Sequence, residues 1–148
     1  MDKSQFIGMW RLVSFEFRRV NGRVTYPYGK TPLGLIAYDA AGTMALQIYR
    51  ADCPHFASGD IHRGTPEEIR AAYHGSLSYF GAYEVVEQEQ AVIHHVTASS
   101  FPNWVGTDQK RYYDFSNGEL TLRTPPLLWG GTAMSGVLLW RRIPAAQC

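Results

Sequence analysis

The feature that most constrains this chain is its punctuation. Short runs of alternating apolar and polar residues are broken repeatedly by Asn21-Gly22, Ala40-Ala41-Gly42, Gln88-Glu89-Gln90 and Asn117-Gly118. An Asn-Gly step between such runs specifies a β-hairpin, because both residues accept the positive φ of a type I′ turn. Strands are therefore expected over 6–17, 33–39, 43–50, 77–87, 91–99, 107–115, 120–122 and 136–143, with a hairpin of 18–20 and 23–26 about Asn21-Gly22. Gly130-Gly131 falls in a loop before the last strand. Residues 51–64 are irregular. Thr65-Pro66-Glu67-Glu68 then starts a helix: Thr65 as N-cap, Pro66 at the first helical position and Glu68 closing a capping box. The helix runs to about His74, where Gly75 stops it. It is the one helix of consequence, inserted midway.

About eight to ten short strands in sequential hairpins must hide two sheet edges, and closing into a barrel does so. The expected fold is all-β: a closed antiparallel up-and-down barrel with one short helix, forming a single domain over 1–148. A barrel of this strand number can hold one small ligand. The 148 residues suffice for one core, and a hydrophobic content of 45% argues against disorder. A net charge of +1 gives no strong pull toward nucleic acid or an anionic membrane. The start, Met1-Asp2-Lys3-Ser4-Gln5-Phe6, has no apolar signal-peptide core, and no run approaches a membrane span. Cys53 and Cys148 do not make a disulfide framework, so both are expected as free thiols in a cytoplasmic protein.

The chemistry concentrates in residues 94–115. Two strands are joined there by Phe101-Pro102-Asn103-Trp104-Val105-Gly106, which holds the turn signals. In the second strand Gln109, Arg111, Tyr113 and Phe115 share one face, and Lys110, Tyr112 and Asp114 the other. The face ending in Phe115 should point inward and carry Gln109 and Arg111 with it. An inward Arg is expensive unless it is paired or faces a polar ligand. In the first strand Trp10, Leu12, Ser14 and Glu16 share a face, which makes Glu16 the obvious partner for Arg111. His94 and His95 point opposite ways. Val92, His94, Val96 and Ala98 form the smoother apolar row, so His94 is taken as inward. Tyr83 should reach the same interior from the strand before.

These residues also carry a resemblance. Gly8-Met9-Trp10 resembles the Gly-x-Trp signature of lipocalins, and Trp140-Arg141-Arg142 resembles their closing strand, whose Arg covers that Trp at the barrel floor. With Gly34 to Tyr38, Tyr79-Phe80-Gly81-Ala82-Tyr83, the 94–115 stretch and Leu120-Thr121-Leu122, nearly the whole chain resembles the bacterial and fungal lipocalin-like domain family. The resemblance implies a lipocalin-type (calycin) barrel with an internal cavity. It leaves the reaction open, because such barrels include carriers and also cofactor-free cyclases and isomerases.

The expected function is binding of one small, largely apolar molecule, oriented by Tyr83, His94, Gln109, Arg111 and Tyr113. The alternative is a cofactor-free cyclase or isomerase of a polyketide- or terpenoid-like molecule. There Arg111 would stabilise an enolate or carboxylate, and His94 or Glu16 would move the proton. A third possibility is a barrel with a filled interior. No cofactor and no metal are expected. Cys53-Pro54-His55 with His62 matches no zinc spacing, and Gly29-Lys30-Thr31 lacks the upstream Gly of a phosphate loop. No Gly-x-Ser-x-Gly elbow or Gly-x-Gly-x-x-Gly fingerprint is present. The Arg18, Arg19 and Arg23 cluster is expected to be a solvated hairpin tip. Nothing in the sequence specifies an oligomeric state.

Overall fold

The alternating runs do form strands, and the strands close on themselves. A computed structural model describes residues 3–145. It contains β1 (Gly8–Arg18), β2 (Val24–Thr25), β3 (Leu33–Tyr38), β4 (Thr43–Tyr49), β5 (Ser76–Val86), β6 (Ala91–Ser99), β7 (Asp108–Ser116), β8 (Glu119–Arg123), β9 (Leu127–Trp129) and β10 (Thr132–Arg142). One α-helix, α1 (Pro66–His74), lies between β4 and β5. The order β1-β3-β4-β5-β6-β7-β8-β10 returns to β1 through the pairing Trp10↔Arg142 to Arg18↔Ser135. These eight strands leave no free edge; β2 and β9 are short ribbons on β1 and β10.

The floor explains the Gly-x-Trp signature physically. Trp10 is buried, donates its indole N–H to Phe6 O at 2.9 Å, and lies 4.2 Å beneath the Arg142 guanidinium. Arg142 also donates to Ile7 O at 2.7 Å and Gln5 O at 2.6 Å, tying the last strand to the chain before the first. Gly8 has φ 131°, and a Cβ there would sit 2.8 Å from Arg142 Nη1. The backbone conformation favours glycine, and a side chain there would also push on Arg142.

β1 corrects the sequence reading. Trp10 and Leu12 face inward, but the register slips between Leu12 and Ser14, and beyond the slip Phe15 and Phe17 are the buried residues. A β-bulge adds one residue to a strand and so reverses the alternation beyond it. Ser14 and Glu16 consequently leave the inward row.

The turns divide. Asn117 and Gly118 adopt φ 55° and 75° between Ser116 and Glu119, as a type I′ hairpin requires. Asn21-Gly22 does not form the expected tight turn, because Asn21 is not among the positive-φ residues. Its side chain instead accepts from Arg23 N at 2.9 Å, and Arg19 N bonds Arg23 O across a longer loop. Gly130-Gly131 is a hairpin turn after all, since Trp129 pairs with Thr132. The helix cap is as read: Thr65 Oγ1 accepts from Glu68 N at 3.1 Å, and Glu68 Oε1 accepts from Thr65 N at 2.8 Å. Cys53 is a free thiol, whereas Cys148 lies outside the described residues. Among those residues no helix is long and apolar enough to cross a membrane.

Candidate functional site

Period-two strands running from one barrel end to the other give each end its own chemistry. The Trp10 end is packed solid. Phe6 meets Tyr38, Tyr113 and Phe115 edge-on, with ring centroids 4.9–5.2 Å apart. Tyr83 joins this floor: its ring packs on Tyr38 at 4.8 Å and its hydroxyl donates to Asp39 O at 2.6 Å. Tyr83 and Tyr113 therefore face inward as expected, but neither lines a cavity.

The other end is open. The start of β5, β9 with Gly130 after it, the loop carrying Pro27 and Tyr28, the turn after β6 and the last turn of α1 surround a cavity of about 600 Å³. Its walls include Tyr28, Tyr73, Leu77, Phe101, Trp104 and Trp129. The helix contributes Tyr73 and His74, so the insert lies at this barrel mouth. Beneath, and sharing Leu77, Trp104, Leu127 and Trp129 with it, a slot of about 30 Å³ continues into the barrel. That is room for a water molecule or one oxygen of a larger molecule. Arg111 and Tyr79 stand on its wall.

Arg111 is 7% exposed. Its Nη1 donates to Lys110 O at 2.9 Å, and its guanidinium lies over the Trp104 ring at 5.8 Å and beside the Tyr79 hydroxyl. Among the described residues no carboxylate pairs with it. Glu16, the expected partner, is not one: the bulge in β1 turns it outward, where it accepts from Arg18 at 3.2 Å. Gln109 shares the inward row, opposite His94, but its amide donates to Thr107 Oγ1 at 2.9 Å and it lines neither cavity.

His94 is fully buried and inward. Its Nε2 lies 2.7 Å from the Tyr38 hydroxyl and its Nδ1 2.7 Å from the Tyr79 hydroxyl. Burial, then the nearby Arg111 charge, holds its pKa well below the ordinary 6.5, so the ring is neutral. Burial raises both tyrosines, against which the Arg111 charge works. His95 points outward between Asp108 at 2.6 Å and Glu84 at 2.9 Å. Hydrogen bonding to Asp108 is the main cause of its raised pKa.

The sequence reading missed Tyr79, Tyr38 and Trp104. Tyr79 shares the inward face of β5 with Tyr83, so alternation offered both. The choice depended on which end of the barrel was filled, and alternation carries no such information.

Two comparisons bear on this site. The chain is 33% identical over 108 residues to the 4'-hydroxy-3'-methoxypropiophenone carrier protein ppsC of Aspergillus oryzae, a match covering 68% of this chain and 97% of that one. The family model described as a lipocalin-like domain matches residues 7–143, from just before Gly8 to just past Arg142. A closed antiparallel barrel with an open mouth, a Trp10–Arg142 floor and that match place the chain in the lipocalin-like domain family.

Proposed function

We propose that this protein is a small-molecule carrier that takes one largely apolar, aromatic ketone-like molecule into its mouth cavity. The single observation that carries this is a buried guanidinium, without a carboxylate partner among the described residues, at the inner end of an aromatic-walled cavity. A charge left so is costly unless a ligand oxygen completes its hydrogen bonds. The cavity of about 600 Å³ suits an aromatic body, and the slot of about 30 Å³ suits its oxygen. The name of the related Aspergillus protein, a carrier of a substituted propiophenone, has the same ligand chemistry. Carriage is preferred over acid–base catalysis because Glu16 lies outside and both His94 nitrogens are already bonded to tyrosines.

Quenching of tryptophan fluorescence on titration with propiophenone tests this, because Trp104 and Trp129 line the mouth. Saturable quenching with one site per chain is expected. Quenching that never saturates, or that survives unchanged when Trp104 and Trp129 are both replaced by Phe, would count against it.

A further inference from the structure

The wall of the slot can be read proton by proton. A neutral imidazole has one N–H and one bare nitrogen. His94 is neutral and places each nitrogen 2.7 Å from a tyrosine hydroxyl. One tyrosine must therefore donate to the ring and the other accept from it. The accepting tyrosine still has its own proton to place.

The two hydroxyls differ in what else they can reach. Tyr38 is sealed under Phe6, Tyr83 and His94, and no second acceptor meets its hydroxyl among the described residues. Tyr79 borders the slot. A buried donor without an acceptor is strongly disfavoured. The arrangement that strands no proton has Tyr38 donating to Nε2, His94 Nδ1–H donating to Tyr79, and the Tyr79 O–H aimed into the slot. Arg111 beside it presents further N–H donors, and a neighbouring cation makes the phenol a stronger donor. The other side-chain oxygen on the slot, Thr124 Oγ1, accepts from Gly136 N at 2.7 Å, which takes one of its two acceptor positions.

Resting on the carrier reading above, we propose that Tyr79, with Arg111, selects the ligand's oxygen: the Tyr79 oxygen already accepts from His94 and Arg111, so toward the slot the pair presents donors, and the site takes a ketone carbonyl over the matching alcohol. The alcohol can accept one of these bonds, but its own O–H meets donors. A site built this way discriminates by leaving a polar group of the wrong ligand unpaired.

The test compares propiophenone with 1-phenyl-1-propanol, which differ at that oxygen, by calorimetry on the wild type and Tyr79→Phe. The wild type should prefer the ketone by at least about tenfold, and the variant should bring the two within about twofold by weakening the ketone alone. Equal wild-type affinities would overturn the selection while leaving the carrier reading intact. A variant that keeps the full preference would remove Tyr79 from the role. If neither probe binds, the carrier reading falls and the selection with it. Should Tyr79→Phe fail to fold, isotope-edited infrared spectroscopy of carbonyl-labelled propiophenone on the wild type decides. A carbonyl band below its position in hexane supports the paired donors, and a band at the hexane position refutes them.

Discussion

Acidification should weaken the fold through His94, by an amount set by its burial. In the folded protein the ring is neutral, fully buried and bonded to Tyr38 and Tyr79, with its pKa well below 6.5. In the unfolded chain it titrates normally. The unfolded state thus binds more protons below about pH 6.5, and stability falls with pH there. Each pH unit over which the unfolded ring is protonated and the folded one stays neutral removes roughly 1 kcal/mol. His95 acts in the opposite sense. Its raised pKa gives stability that is fully present below the unfolded value and lost as pH rises through the folded one. Being partly solvated, it contributes a screened effect. Wild-type stability alone would mix the two, so the measurement is a difference. Urea unfolding of wild type and His94→Gln is followed across this range, and one curve is subtracted from the other. The gap should narrow as pH falls below about 6.5, by roughly 1 kcal/mol per pH unit, whatever the variant's own loss at neutral pH. Parallel curves would mean that His94 is not held neutral, and the proton assignment on Tyr79 would lose its basis.

Further predictions concern single positions. Arg111→Leu should weaken propiophenone binding by at least about 1.5 kcal/mol in calorimetry on the folded variant, as for a lost charge-assisted hydrogen bond; unchanged affinity would remove Arg111 from the site. Gly81→Ala should destabilise by about 2–4 kcal/mol in denaturant unfolding, because an added Cβ would collide with the backbone carbonyl of His95 at the β5–β6 register shift. Thr65→Ala should lower stability by about 1 kcal/mol through the broken capping box, provided α1 unfolds with the barrel; an unchanged melting curve would show that the helix melts separately.

The barrel was legible in the sequence because alternation and turn residues are local signals, and they agreed along most of the chain. β6 was read to the residue, and β7 within one residue at each end. The inward row of His94 and Arg111 followed from the same alternation, since a one-residue slip would have buried Lys110 and Asp114. What was not legible depended on single-residue events or on distant packing. The bulge near Val13 reversed the faces of β1 and removed Glu16 from the interior, and nothing in a strand with apolar residues on both faces announces it. Alternation offers Tyr83 and Tyr113 as ligand contacts because they point inward. In the floor Tyr113 meets Phe6, which lies before β1 and reaches it only once the barrel closes, and Tyr83 packs on Tyr38 beside it.

The central claim, a ligand in the mouth with its oxygen at Arg111, is tested most directly by nuclear magnetic resonance of the indole and guanidinium N–H groups during a propiophenone titration. The chain has four tryptophans, two at the mouth (Trp104 and Trp129), with Trp10 at the floor and Trp140 buried outside both cavities. The indole signals of Trp104 and Trp129 and the Arg111 Nε–H signal should move together along one saturating curve, while Trp10 stays in place. A saturating shift confined to Trp10, or movement of the mouth tryptophans with Arg111 unmoved, would contradict it.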